Sequence, residues 1–406
     1  MNEQIISKRT HISLVTETSI ILLLLHNIPY IGFHTPAVLF GVLVLLTFML
    51  IIHEASRGIR ADIGPCLGIM GLLLLTFISD CFLEGDIIKK IYGLLQVFLY
   101  PYLGSIIIKY DLGKTTKRLF WVVIMSYFIT AITTYFGCQI VPRASRILAS
   151  VTMLQESGYE SVIKDLNIAG FFELYTITLL TPLVIMMIRR KTINLVFGFA
   201  FLTSFGFAVI ASEYTTALFI YIISLFLFLL PKDYSKKKYI GALLLVISLG
   251  AISLAILSQL LSYLSDVVDS ALVSDRLNDM SSLLSGKQEE IDNTSDMAAR
   301  QNLYNKSINT FVFHPFGAWD PKLTGGHSFV LDSLARFGFL GLFLLLLMYK
   351  KISNYYIKPF RNSADYGYII VSFIWVLLLA IVNTGHNILF ICFILPLFYK
   401  YSQGRL

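Results

Sequence analysis

The chain of 406 residues is 56% hydrophobic and only 14% charged, with a mean hydropathy of +0.74. Apolar runs of about 18 residues or more recur from end to end, which excludes a soluble globular domain and predicts an all-α polytopic membrane protein. The formal net charge of +7 is spread over short loops without interleaved aromatics, so no nucleic acid is expected as a partner.

In chain order the pattern predicts about twelve spans, at 12–33, 36–53, 63–83, 88–108, 119–138, 166–188, 192–211, 214–230, 239–263, 328–348, 366–383 and 386–400. They form a single integral membrane domain over 1–406. With the N-terminus inside, the inner segments carry 21 of the 32 Lys and Arg residues, among them Lys8, Arg9, Arg57, Arg60, the Lys109–Arg118 cluster, Arg189-Arg190-Lys191 and Lys350-Lys351. That bias predicts cytoplasmic termini and an outward-facing loop at 264–327. The apolar stretch after Lys8-Arg9 is long enough to span and runs almost directly into a second span, so it reads as an anchor rather than a cleaved signal. Cys66, Cys81, Cys138 and Cys392 lie in or beside spans without a Cys-x-x-Cys pair and read as small apolar residues.

Three hydrophilic features interrupt the spans: an outer loop at 139–165 with Arg143 and Arg146, the basic inner loop 231–238, and the long loop 264–327. Within the long loop, Ser295 reads as an N-cap and 296–313 as a helix ended by Pro315. Met297, Arg300, Tyr304, Ile308 and Phe311 fall on one stripe of that helix, expected to pack inward. His314–Gly326 reads as irregular chain. From His327 a further helix carries Asp332 and Arg336, which are i,i+4 neighbours. They either form a structural ion pair or leave Arg336 to face an anionic group.

The outward arginines, Arg143, Arg146, Arg276, Arg300 and Arg336, oppose the inner-positive bias. Taken singly, each is as well explained as a solvated loop charge. As a set, guanidinium groups suit a pyrophosphate leaving group, which they bind bidentately and on which charge grows in the transition state. His327 reads either as a polar cap or as a group that orients a sugar hydroxyl or takes its proton. Asp-x-Asp and His-x-x-His spacings are missing, and Asp80, Glu84 and Asp86 read as a solvated loop, so no metal is expected. The absence of a nucleotide fingerprint leaves no cofactor expected either.

Arg300 followed by QNLYNKSINTFVF, then His314-Pro315-Phe316-Gly317, then His327-Ser328 with Gly338-Phe339-Leu340-Gly341 nine residues on, resembles the O-antigen polymerase/ligase family of integral membrane glycosyltransferases. Elsewhere only the layout agrees, with about twelve spans, cytoplasmic termini and one long outer loop in a GT-C-like arrangement. The resemblance implies an enzyme of the bacterial cytoplasmic (inner) membrane whose active site faces outward. It implies undecaprenyl-pyrophosphate-linked oligosaccharides as donor and acceptor, membrane lipid around them, and a chain-length regulator and a flippase as protein partners. By the family pattern Arg300 binds pyrophosphate and His327 contacts the acceptor or the phosphate.

The expected activity is polymerisation of lipid-linked repeat units. An acceptor hydroxyl attacks the anomeric carbon of the donor chain, with His327 as base or orienting group. Arg300, Arg276 and one of Arg143/Arg146 stabilise the leaving pyrophosphate. Two departures from the pattern stand out. Glu213, in IASEYTTALF, sits where ligases carry an arginine, which disfavours transfer to lipid A-core as the alternative activity. Ser328 replaces the commoner asparagine. The segment from Asn167 to Phe172 loosely resembles a polymerase span start, which brings Arg143 and Arg146 into consideration. A flippase or transporter is the alternative of another class, with Glu17, His26 and Glu173 as the charges inside spans.

Overall fold

The computed structural model describes residues 11–62, 64–81, 87–148, 151–229, 262–263, 266, 274, 296–361, 363, 365–385 and 387–403, among which no β-strand occurs. The helices before the long loop are α1 (Leu14–Leu25), α2 (Pro29–His34), α3 (Ala37–Ser56), α4 (Gly64–Cys81), α5 (Ile87–Lys109), α6 (Lys114–Ile140), α7 (Ala144–Ile147), α8 (Val151–Glu156), α9 (Glu160–Asp165), α10 (Phe171–Arg189), α11 (Leu195–Ala211) and α12 (Thr215–Leu225). After it come α13 (Asp296–Phe313), α14 (Phe329–Ile352), α15 (Tyr366–Val382) and, beyond a π-helical turn at Phe390–Ile394, α16 (Leu395–Gln403). Among the described residues four segments are long and apolar enough to cross a membrane: Ala37–Ser56, Lys114–Ile140, Phe171–Arg189 and Phe329–Phe360. Shorter apolar helices include Leu14–Leu25, Leu195–Ala211 and Tyr366–Val382. The expected span 239–263 lies outside the described residues except for its last two.

The first expected span, 12–33, is interrupted. Asn27 Nδ2 donates to the Leu23 and Leu24 carbonyls at 3.1 and 3.2 Å, closing α1. Pro29 then opens α2, where its missing N–H costs nothing. The segment 139–165, expected as an outer loop, carries the short helices α7 to α9.

Packing divides the chain into two compact units, one of 1–227, 343–378 and 386–406, the other of 228–342 and 379–385. In the first unit α10 is central, with every residue from Leu174 to Ile188 buried. On α3, by contrast, Val38, Leu39, Val42 and Met49 are exposed, as on a helix bathed by hydrocarbon.

Polar groups collect at the two ends of this unit. At one end the buried Glu54 accepts from Ser13 N and Thr16 Oγ1, both at 2.9 Å, and Glu17 accepts from Arg118 and Thr115 at 2.9 and 2.7 Å. Arg190 and Gln403 hold the buried Asp365 there as well. At the other end Asn167 takes Tyr30 N at 3.0 Å while its carbonyl accepts from Thr133 at 2.8 Å, and Ala169 N donates to Thr134 at 2.8 Å. Such interhelical bonds are worth about 0.6–2 kcal/mol each in lipid, where helices gain little from apolar burial alone. Cys66, Cys138 and Cys392 are free and buried, as small apolar residues.

Candidate functional site

The second unit contains Arg300, His327 and Arg336. Its helix α13 turns Ser307 fully inward and Arg300, Leu303, Tyr304, Thr310 and Phe311 partly so. The expected stripe is therefore shifted, because Ile308 is exposed and Ser307 takes the innermost place. Tyr304 Oη donates to the Val382 carbonyl at 2.7 Å. Burial raises the pKa of that hydroxyl; the neighbouring Arg300 charge opposes the rise and the Asp332 carboxylate adds to it.

Asp332 is the centre of the site. Its Oδ1 accepts from Ser307 Oγ at 2.6 Å and from Gly326 N at 3.2 Å, and its Oδ2 from Ser328 N at 3.1 Å. Ser328, itself buried, caps α14 by accepting from Leu331 N at 3.1 Å. The peptides on both sides of His327 are thus fixed, while the His327 side chain stays exposed. Gly325 N donates to Ser307 Oγ at 2.8 Å, and a Cβ on Gly325 would meet the Leu303 carbonyl oxygen at 2.1 Å. Phe329 N donates to the Asn383 carbonyl at 2.9 Å. Helix α13, the start of α14 and the end of α15 therefore meet around Asp332.

Further along α14, the segments 314–317 and 338–341 lock together through the main chain. Helix α14 kinks at Gly338, whose φ of 58° and ψ of −143° exclude a side chain. The kink frees the Ala335 and Arg336 carbonyls, which accept from Ala318 N and Trp319 N at 3.1 and 2.9 Å. In return Phe339 N donates to the Pro315 carbonyl at 2.9 Å. A Cβ on Gly338 would meet Pro315 O at 2.1 Å, and one on Gly317 would meet Arg336 O at 2.6 Å. The segment 296–327 is consequently a hairpin. Helix α13 runs beside the first turns of α14 in the same direction, with Ser307 at Asp332 and Pro315 at Phe339, and the chain then turns and climbs back. Thr310 Oγ1 donates to Leu323 O at 2.7 Å and Lys306 Nζ to Lys322 O at 2.8 Å along the return.

The carboxylate that the spacing pairs with Arg336 is engaged by Ser307, Gly326 and Ser328. The Arg336 guanidinium lies 5.2 Å from the Phe337 ring centroid. Arg143 and Arg146 belong to the first unit, around Glu213. Arg143 Nε is 3.6 Å from Glu213 Oε2, and Arg146 donates to the Glu213 carbonyl at 3.1 Å and lies over the Tyr214 ring. Arg143 and Glu213 both adopt left-handed backbone, with φ of 62° and 56°. Arg276 lies outside the described residues. Among the described residues no cluster of three or more His, Cys, Asp or Glu side chains is placed to hold a metal.

Sequence reasoning missed Ser307, the Tyr304 hydroxyl and the Val382–Asn383 carbonyls. Ser307 was within reach, since it lies two turns after Arg300 on one face. Main-chain carbonyls leave no such trace. Comparison with family models, with curated proteins and with solved structures gives no match to this chain.

Proposed function

We propose that the chain is a membrane glycosyltransferase that polymerises undecaprenyl-pyrophosphate-linked oligosaccharide repeat units at the outer face of the bacterial cytoplasmic membrane. The observation that carries the proposal is the Asp332 clamp. It fixes the main chain on both sides of an exposed imidazole and ties it, through Ser307, to the helix that bears Arg300. Preorganisation of this kind is what a single displacement needs, because little beyond alignment and charge stabilisation is required of the protein.

In the proposed reaction the acceptor hydroxyl attacks the anomeric carbon of the donor chain. A new glycosidic bond forms as the bond to the pyrophosphate oxygen breaks. His327 orients the hydroxyl and takes its proton; Arg300 neutralises the departing lipid pyrophosphate, with Arg276 as a second cation. Glu213 already neutralises the Arg143 side, so Arg143 and Arg146 are given a structural part. The polarity follows from the charges: the end of the first unit that carries Arg57, Arg60, Lys109, Lys117, Arg118 and Arg190 is assigned to the cytoplasm.

Glu17, bonded to Arg118 and Thr115 at that basic end, is accounted for without transport. The deciding experiment places His327→Ala or Arg300→Ala, at wild-type protein level, in cells lacking the native copy. Long polysaccharide is expected to vanish and single-repeat products to accumulate. Unchanged long chains in either variant would remove that residue from the mechanism.

A further inference from the structure

The exposed face of α13 changes character along its length. Gln301, Asn302, Asn305 and Lys306 are exposed along its first three turns. In its last turn Val312 and Phe313 are 64% and 78% exposed, and just beyond them Phe316 is 82% exposed, with His314 the one exposed polar side chain among them. A water-facing loop that held these three side chains together would carry an apolar patch with nothing to offset its hydration.

The hairpin explains where the patch goes. Its tip is bonded to Phe339, ten residues beyond the start of α14, a distance of about 15 Å at 1.5 Å per residue. Half of a hydrocarbon core is also about 15 Å. The Phe316 ring lies 6.4 Å from the Phe339 ring, and Phe339 and Leu340 are themselves exposed on a helix apolar enough to cross a membrane. Trp319, 42% exposed, lies beside the tip, with its ring 5.4 Å from that of Phe337.

We infer that segment 296–327 is a re-entrant hairpin whose tip, Val312–Phe316, is immersed in the hydrocarbon of the bilayer. The occupant of this surface is membrane lipid, continuous with the lipid around α14. Backbone at such depth needs partners, and several groups of the tip have them: His314 N and Gly317 N donate to Thr310 O and His314 O at 2.8 Å, and Pro315 O accepts from Phe339 N. The inference rests on the membrane part of the proposed function and not on its chemistry.

Nitroxide labels test it in the full chain reconstituted in lipid nanodiscs. Cys81 is replaced by Ala and the buried Cys66, Cys138 and Cys392 are left in place. Phe313→Cys and Phe316→Cys are labelled beside two references, Asn302→Cys for water and Leu340→Cys for lipid. Collisions with oxygen are expected to exceed those with a nickel chelate by at least several-fold at 313 and 316, as at 340. Nickel-dominated collisions at 313 and 316 with oxygen-dominated ones at 340 would overturn the hairpin's immersion while leaving the membrane reading intact. Protection from both reagents would mean a protein cover and would overturn it too. Nickel-dominated collisions at 340 would overturn both readings. As a check without cysteine chemistry, brominated lipids should quench Trp319 in a chain carrying Trp121→Phe and Trp375→Phe; absence of quenching counts against the inference.

Discussion

Asp332 holds the peptide N–H groups of both residues that flank His327, Gly326 at 3.2 Å and Ser328 at 3.1 Å. An amide in its place keeps the shape but turns an N–H toward one of those donors. Asp332→Asn is therefore expected to lower polymer formation about 10- to 100-fold, the equivalent of the roughly 1.5–3 kcal/mol assigned to hydrogen bonds with a charged group. Protein level should stay near wild type, since the Ser328 cap remains. Chain-length ladders normalised to protein read the effect, and ladders of full intensity would uncouple Asp332 from His327.

Tyr304→Phe removes the donor to the Val382 carbonyl and should cost about 0.5–1.5 kcal/mol. The hydroxyl's pKa is raised by burial above its ordinary value near 10. The sign follows: this contribution is complete below the unfolded value and is lost as pH rises through the folded one. Alkaline melts should show a drop above about pH 10 in the wild type that is weaker in Tyr304→Phe. Parallel curves would contradict the assignment.

The joint at Gly338 tolerates no Cβ. Gly338→Ala places one 2.1 Å from the Pro315 oxygen at a φ of 58°, so a loss of about 3 kcal/mol or more is expected. Thermal melts of detergent-purified protein measure it. A wild-type melting temperature would mean that the kink is not required.

The arginines separate by role. Arg143→Ala breaks a half-exposed pair with Glu213 and should change stability by about 0–1 kcal/mol. Its ladders should persist when normalised to folded protein, whereas those of Arg300→Ala should disappear. Equal loss of activity in the two variants would return Arg143 to the phosphate site.

Orientation is read by labelling intact cells with a membrane-impermeant thiol reagent. Tyr159→Cys, exposed near α9, should react, and Lys117→Cys, near the start of α6, should react only after the membrane is opened. The reverse pattern would invert the assigned polarity.

Much of the helical layout was legible because lipid imposes length and apolarity on any crossing segment. The helix at 296–313 was legible from Pro315 and Ser295. The break after Leu25 was not, since it depends on Asn27 bonding locally to two carbonyls. Within the candidate site, Arg300 was singled out as a positive charge in an expected outer loop, and His327 by its place after Gly325-Gly326 at the end of that loop. For Asp332 the spacing offered an ion pair with Arg336 as one of two readings, whereas the fold presents it to Ser307 and to main-chain N–H groups that no sequence pattern encodes. Glu213 was read as a departure from a motif, yet in the fold it is the counter-charge of Arg143.

The joint between the hairpin and α14 is built from peptide groups, so it carries no side-chain identity. Its two glycines, Gly317 and Gly338, are the positions where an added Cβ would strike main-chain atoms. Because the splice straddles the Gly338 bend, the hairpin is tied to α14 on both sides of its kink, at Ala335 and Arg336 before it and at Phe339 after it.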